Sequence, residues 1–164
     1  MPAREALGVD VGGVLIPRVG VDADTTFKSE NYLETPEIPD AFDVLRRLVD
    51  EMFGRRVFIV SKCGARVQTK TLRWLKHHRF FERTGVKPKH VHFCLERSDK
   101  APICRKLGIT HFIDDRLDVL LSLQTVPNRI LFASDHSSGD TNAALALTIQ
   151  QVRTWKEVGA ALLR

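Results

Sequence analysis

Cysteine is scarce in this chain: Cys63, Cys94 and Cys104 are the only three among 164 residues. Their spacings match no zinc signature. An odd number of thiols suits a reduced, intracellular setting, and a cytoplasmic location is expected. No apolar run reaches the length needed to span a bilayer, so no membrane partner is expected. The opening Met-Pro-Ala-Arg-Glu is not followed by an apolar h-region, which argues against a signal peptide. No repeat or low-complexity segment stands out. Nor is charge of one sign gathered in one place. The formal net charge is +5, but the basic residues fall in small groups: Arg46-Arg47, Arg55-Arg56, Lys76 to Arg79, Lys87 to His90. This mild excess favours anionic ligands such as phosphates. It lacks the concentrated face that nucleic-acid binding calls for, so a nucleic-acid partner is the lesser expectation.

What is present is globular: 43% hydrophobic and 27% charged residues, long enough for a single domain over 1–164 with a substantial core. The first apolar run, Leu7 to Ile16, contains Asp10 followed by Gly12 and Gly13. Apolar residues on both sides of Asp10 suit a strand buried in the middle of a parallel sheet. The glycines let the chain leave that strand in a conformation other residues resist. An acid at the carboxyl end of a central strand, beside backbone open to a ligand, stands where α/β sheets bind ligands. The plainer alternative is a strand and a turn that Asp10 merely caps.

The rest of the chain alternates. Pro17 to Pro39 is polar and without sustained period, and it reads as a flap or small insertion over 17–39, too short for a cap domain. Asp40 is placed to cap a helix carrying Phe42, Leu45, Val49 and Met52, which Gly54 ends. Arg55 to Val60 reads as a strand ending on Ser61-Lys62-Cys63-Gly64. A helix follows from about Arg66 to His78, with Val67, Thr71, Leu72 and Leu75 on one side. Val91 to Leu95 is a strand, Ser98-Asp99 opens a helix holding Lys100, and Gly108 closes it. Thr110 to Ile113 is a strand ending on Asp114-Asp115. A short helix over Leu117 to Leu123 and a strand over Arg129 to Phe132 complete the alternation. The segment 141–164 reads as helical from Ala144, Leu147, Val152, Trp155, Val158 and Leu162. Such alternation implies a three-layer, Rossmann-like α/β fold, a parallel sheet with helices on both faces and no large cap domain. It also brings Asp10, Ser61 and Asp114-Asp115 to one sheet edge.

The ordered set resembles the haloacid dehalogenase-like hydrolase superfamily, across roughly residues 7 to 135. Asp10 in Gly8-Val9-Asp10-Val11-Gly12-Gly13 matches that family's nucleophile, Ser61 its hydroxyl, Lys100 its lysine, and Asp114-Asp115 its acidic fourth motif. The resemblance implies Mg²⁺ held by Asp10, the Gly12 carbonyl and Asp114 or Asp115, with Asp115 preferred as direct ligand. It implies attack by Asp10 on phosphorus to give an aspartyl-phosphate. Ser61, the Lys62 amide, Gly13 and Lys100 would hold the substrate's phosphate, and Lys100 would also balance Asp10. The expected substrate is a phosphorylated small molecule or macromolecule.

One departure bears on the chemistry. The family's phosphatases carry a second aspartate two residues after the nucleophile, and here that position is Gly12. Losing such a general acid–base group typically costs about 10²–10⁴ in rate. The sequence therefore supports a slow Mg²⁺-dependent phosphohydrolase or phosphotransferase, or alternatively an inactive relative that binds Mg²⁺, phosphate or a protein partner. Asp22, Asp24 or His136 are candidates to supply the proton. Other constellations are weaker. Cys63 has no histidine placed to activate it. His77 and His78 are adjacent on a helix and diverge. His90 and His92 lack an acidic partner, and the glycine spacing after Gly8 fails as a dinucleotide fingerprint.

Overall fold

The central strands are buried on both sides, with successive residues entering opposite cores. Leu7–Val9 forms β1. Leu7 and Val9 enter one core, whereas Gly8 faces the other. A Cβ at Gly8 would lie 2.4 Å from the Phe112 ring, so that ring fills the space a side chain would take. Further strands are β2 (Val57–Lys62), β3 (Val91–Cys94), β4 (His111–Asp114), β5 (Asn128–Phe132) and β6 (Ile149–Val152). The computed structural model describes residues 4–18, 30–133 and 149–163. Within these residues the six strands make one parallel sheet in the order β3-β2-β1-β4-β5-β6.

The helices are α1 (Ala41–Leu48), α2 (Ala65–His77), α3 (Phe80–Thr84), α4 (Lys100–Leu107), α5 (Leu117–Ser122) and α6 (Trp155–Leu162). One core joins Val9, Ile59 and Ile113 of the sheet to Phe42 and Leu45 of α1, Trp74 of α2, Phe80 of α3 and Trp155 of α6. The other joins Phe58, Val60, Phe112 and Leu131 to Cys104 of α4 and Val119 and Leu120 of α5. Each large side chain sealed in this way contributes about 1.5–3 kcal/mol. The result is the three-layer, Rossmann-like α/β arrangement that the alternation implies.

Local departures from the sequence reading have local causes. Residues 149–152 are strand rather than part of a helical tail, and residues 141–148 lie outside the described residues. Val152 sits at a boundary, so it fits the helical spacing of Trp155 and Val158 and equally the alternation of an edge strand. Thr154 marks the true helix start, accepting from the Glu157 amide at 3.1 Å. Asp40 stands at the N-cap position with φ 68°, but its side chain makes no capping hydrogen bond. The Glu37 carboxylate instead accepts from the Phe42 amide at 3.0 Å. Leu72 is 44% exposed, and Trp74 takes the inward position on α2. The described part of the 17–39 segment is tied to the body. Ile38 N–H donates to the Leu15 carbonyl at 2.8 Å, and the Trp74 indole donates to that of Thr35 at 2.9 Å.

Candidate functional site

Parallel pairing sets the site. Val9 is in register with Ile113 of β4 and Ile59 of β2, so the next residues, Asp10 and Asp114, stand level on adjacent strands. The Asp10 amide donates to the Ile113 carbonyl at 3.0 Å and extends that pairing. One oxygen each from Asp10, Asp114 and Asp115 fall within 4.8 Å of one another. Asp10 and Asp114 are almost wholly buried, and Asp115 is nearly so.

Burying three carboxylates together is costly unless cations answer them. Lys100, at the start of α4 and itself 3% exposed, supplies one. Its Nζ lies 2.7 Å from Asp114 Oδ2 and 3.2 Å from Asp10 Oδ1. Burial alone would lower the Lys100 pKa, but Asp10 and Asp114 overcome it and hold the ammonium above its ordinary range. Arg18 supplies the second. Its Nε is 2.8 Å from Asp115 Oδ2, and its Nη2 donates to Asp115 Oδ1 at 3.1 Å and to the Gly12 carbonyl at 3.4 Å. Two cations against three acids leave a surplus negative charge. Burial, then the charge of Asp10, accordingly pushes Asp114 up to about 6 and Asp115 up to about 8, against the pull of Lys100 and Arg18 respectively.

The loop after β1 folds on itself to shape this corner. Leu15 and Ile16 both donate to the Val11 carbonyl, at 2.8 and 3.2 Å. Gly13 has φ 75°, and a Cβ there would sit 2.3 Å from Asp115 Oδ2, so only glycine lets the loop and that carboxylate meet. The Gly13 amide is engaged with the Ile16 carbonyl at 2.8 Å. Gly12 has no such constraint: a Cβ at 12 would meet only the Arg18 guanidinium, at 3.7 Å.

A cleft opens on the cluster, lined by Asp10, Gly12, Arg18, Ser61, Lys62 and Lys100, with Arg97 and Arg116 also facing it. Ser61 belongs to β2 itself, one residue above the level of Asp10. Lys62 is exposed beside it. Arg18, Arg97 and Arg116 escape a reading of the sequence, since nothing local separates them from other surface arginines. Arg116 follows the acidic pair directly. That position lets its amide donate to Asp114 Oδ1 at 3.0 Å, and its guanidinium pairs with Asp118. Asp22, Asp24 and His136 lie outside the described residues.

The rival constellations have structural explanations. Burial pushes the Cys63 thiol up to about 11, which removes it as a nucleophile near neutrality. His90 and His92 pack on the Phe58 ring at 4.6 and 6.0 Å. His78 stacks on Trp74 and bonds the Leu33 carbonyl.

Among the described residues, Asp10, Asp114 and Asp115 are the one group of three His, Cys, Asp or Glu donors close enough for a shared ion. All its donors are hard oxygens, and the Gly12 carbonyl faces the same spot, since one guanidinium reaches both that carbonyl and Asp115. This donor set suits Mg²⁺ rather than a thiophilic metal.

No protein-family model matches the chain, and no curated protein matches it in sequence. Solved structures do match in shape. A crystal structure of a dehalogenase with an intermediate complex aligns with TM-score 0.67 at 14% identity, over 98% of both chains. A HAD-family hydrolase from Deinococcus radiodurans R1, with bound phosphate and sodium, aligns with TM-score 0.58 at 16% identity, over 97% of this chain and 95% of that one. Along nearly its whole length, the chain therefore shares the fold of haloacid dehalogenase-like (HAD) hydrolases.

Proposed function

We propose that the protein is a slow phosphohydrolase or phosphotransferase that works through Asp10 with Mg²⁺. The observation that carries this reading is the meeting of Asp10, Asp114, Asp115 and Lys100 beside a cleft rich in cations, which Asp10 and Lys100 line. In the proposed reaction, an Asp10 carboxylate oxygen attacks phosphorus as the bond to the leaving oxygen breaks. Water then hydrolyses the aspartyl-phosphate, releasing phosphate and regenerating the carboxylate. Lys100 holds Asp10 in place and offsets charge on the phosphoryl oxygens, while Ser61 and the Lys62 amide orient those oxygens. Asp10, Asp114 or Asp115 and the Gly12 carbonyl would hold Mg²⁺, which when bound lowers the repulsion between carboxylate and phosphate. Asp115 is the better-placed second carboxylate: Asp114 is committed to Lys100 and the Arg116 amide, whereas Asp115 faces the side-chain cation Arg18. Position 12 has no side chain, so the leaving oxygen takes its proton from solvent or from Asp22, Asp24 or His136. The cleft's arginines and lysines suit an anionic substrate, a phosphorylated small molecule or macromolecule.

A second reading, binding of Mg²⁺ and phosphate without turnover, is favoured by the same position: Gly12 supplies no acid, and an arginine occupies the space beside it. Hydrolysis of an aryl phosphate in Mg²⁺ separates the two. The enzyme reading expects slow turnover that Asp10→Asn abolishes. It further expects Gly12→Asp to raise the rate toward the roughly 10²–10⁴-fold worth of a positioned acid. The structure accommodates that aspartate, whose Cβ would make only ordinary contact with Arg18. Equal background rates in wild type and Asp10→Asn would leave only the binding reading.

A further inference from the structure

We infer that Arg18 is a built-in stand-in cation, which occupies the divalent-cation position until a metal ion displaces it. The inference rests on the metal site proposed above and concerns what that site does when no ion is bound. Arg18 bonds the Asp115 carboxylate and the Gly12 carbonyl, two of the oxygen donors the ion would need. It reaches across 97 residues of chain to do so, from the loop that carries the nucleophile to the acidic motif.

Two further observations support this role. The first is charge. With all three carboxylates ionised, as a bound divalent ion would keep them, that ion and Lys100 alone balance the three. With the ion present, the guanidinium is one positive charge too many at this spot, and the two repel at close range. The second is space. The guanidinium lies against bare backbone: a Cβ at Gly13 would fall 2.9 Å from Nε, and one at Gly12 would fall 3.7 Å from it. The bare Cα of Gly13 thus clears volume that Arg18 fills. The 2.8 Å approach of Nε to Asp115 is ionic rather than an aligned hydrogen bond, and a quarter of the arginine side chain remains exposed to water. Such a contact can be released without unpacking the core.

Arg18 therefore lets the apo protein keep a buried acidic cluster, and it weakens the affinity for the ion by the free energy of its own contact. Calorimetric titration with MgCl₂ and MnCl₂, without substrate, tests this. Arg18→Ala should bind either ion about fivefold more tightly than wild type or better, as expected for removing one partly exposed ionic competitor. Arg18→Lys should stay close to wild type. Unchanged or weaker binding in Arg18→Ala, with clear binding in wild type, overturns the stand-in role and leaves the metal site intact. No binding in wild type or either variant overturns both. A second measurement needs no variant: butanedione modification of Arg18, followed by peptide mass spectrometry, should quicken several-fold when Mg²⁺ is added. A rate indifferent to Mg²⁺ overturns the displacement.

Discussion

Asp115 has a weaker hold on its negative charge than Asp114, and that weakness has a measurable consequence. Burial and Asp10 push its pKa up to about 8, while in the unfolded chain it returns to about 3.9. Between those limits the folded state binds a proton that the unfolded state does not, so stability falls as pH rises, and the fall ends once the folded carboxyl has ionised. His90, His92 and His111 act in the opposite sense, since burial lowers their pKa values; their contribution is complete once the unfolded imidazoles are neutral. The window that reports on Asp115 is therefore pH 7 to about 8, where the unfolded imidazoles are largely neutral and Lys100 stays charged in both states. The buried thiols of Cys63, Cys94 and Cys104, which burial also pushes up, add a decline of the same sign only as pH nears the unfolded thiol value of about 8.5. In EDTA, the urea midpoint should decline across this window, and Asp115→Asn should flatten the decline. A flat wild-type profile would mean that Asp115 ionises as freely folded as unfolded. At this scale the sequence was legible wherever a residue ends an apolar run, as Asp10, Ser61 and Asp114 do, because strand direction alone dictates where such residues go. Arg18 was not legible. It lies in a polar stretch without period, and its partner is distant in the chain.

Among the elements, α6 shows how a remote segment steadies the nucleophile's loop. The Trp155 indole is fully buried and donates to the Val14 carbonyl at 2.7 Å, directly after the Gly12–Gly13 pair. Trp155→Phe keeps most of the apolar surface and leaves that carbonyl buried without its donor. The expected cost is about 1–3 kcal/mol in urea unfolding, against roughly 3–5 kcal/mol for Trp155→Ala, which adds a cavity. If Trp155→Phe unfolds at the wild-type midpoint, the bond is not what anchors the loop. The sequence showed Trp155 as an inward apolar position but not as a donor to residue 14, since spacing reveals which face is buried and not what meets it. The same limit explains β6. Ile149 and Val152 bracket two glutamines at an edge strand, too short for alternation to outweigh the helical spacing that runs on from Val152. Thr154 and Glu157 carried the boundary signal, a capping pair at a separation of three. The short α3 hides in a similar way: five residues, opened by Arg79 at φ 56° and closed by Gly85 at φ 84°, leave almost no period to read.

Taken as a whole, the molecule is two runs of chain that meet at one seam. From β1 the chain builds outward to β2 and β3, then returns to lay β4, β5 and β6 on the other side, so strand order reverses between β1 and β4. Asp10 lies on one side of that seam, and Asp114 and Asp115 lie on the other. An ion held by carboxylates from both sides would cross-link the two runs, and it would bind only the folded state, because the unfolded chain holds those residues more than a hundred positions apart. Linkage then sets the size of the effect: about 2.7 kcal/mol at a ligand concentration one hundred times Kd. In a domain of this length that corresponds to a rise in Tm of about 5–10 °C. Wild type should show this rise with saturating Mg²⁺. Asp10→Asn and Asp115→Asn should lose most of it, because each removes a carboxylate that would hold the ion. A Tm that ignores Mg²⁺ in wild type would break the link between the seam and the ion. The carboxylates would then be a buried cluster balanced by Lys100 and Arg18 alone.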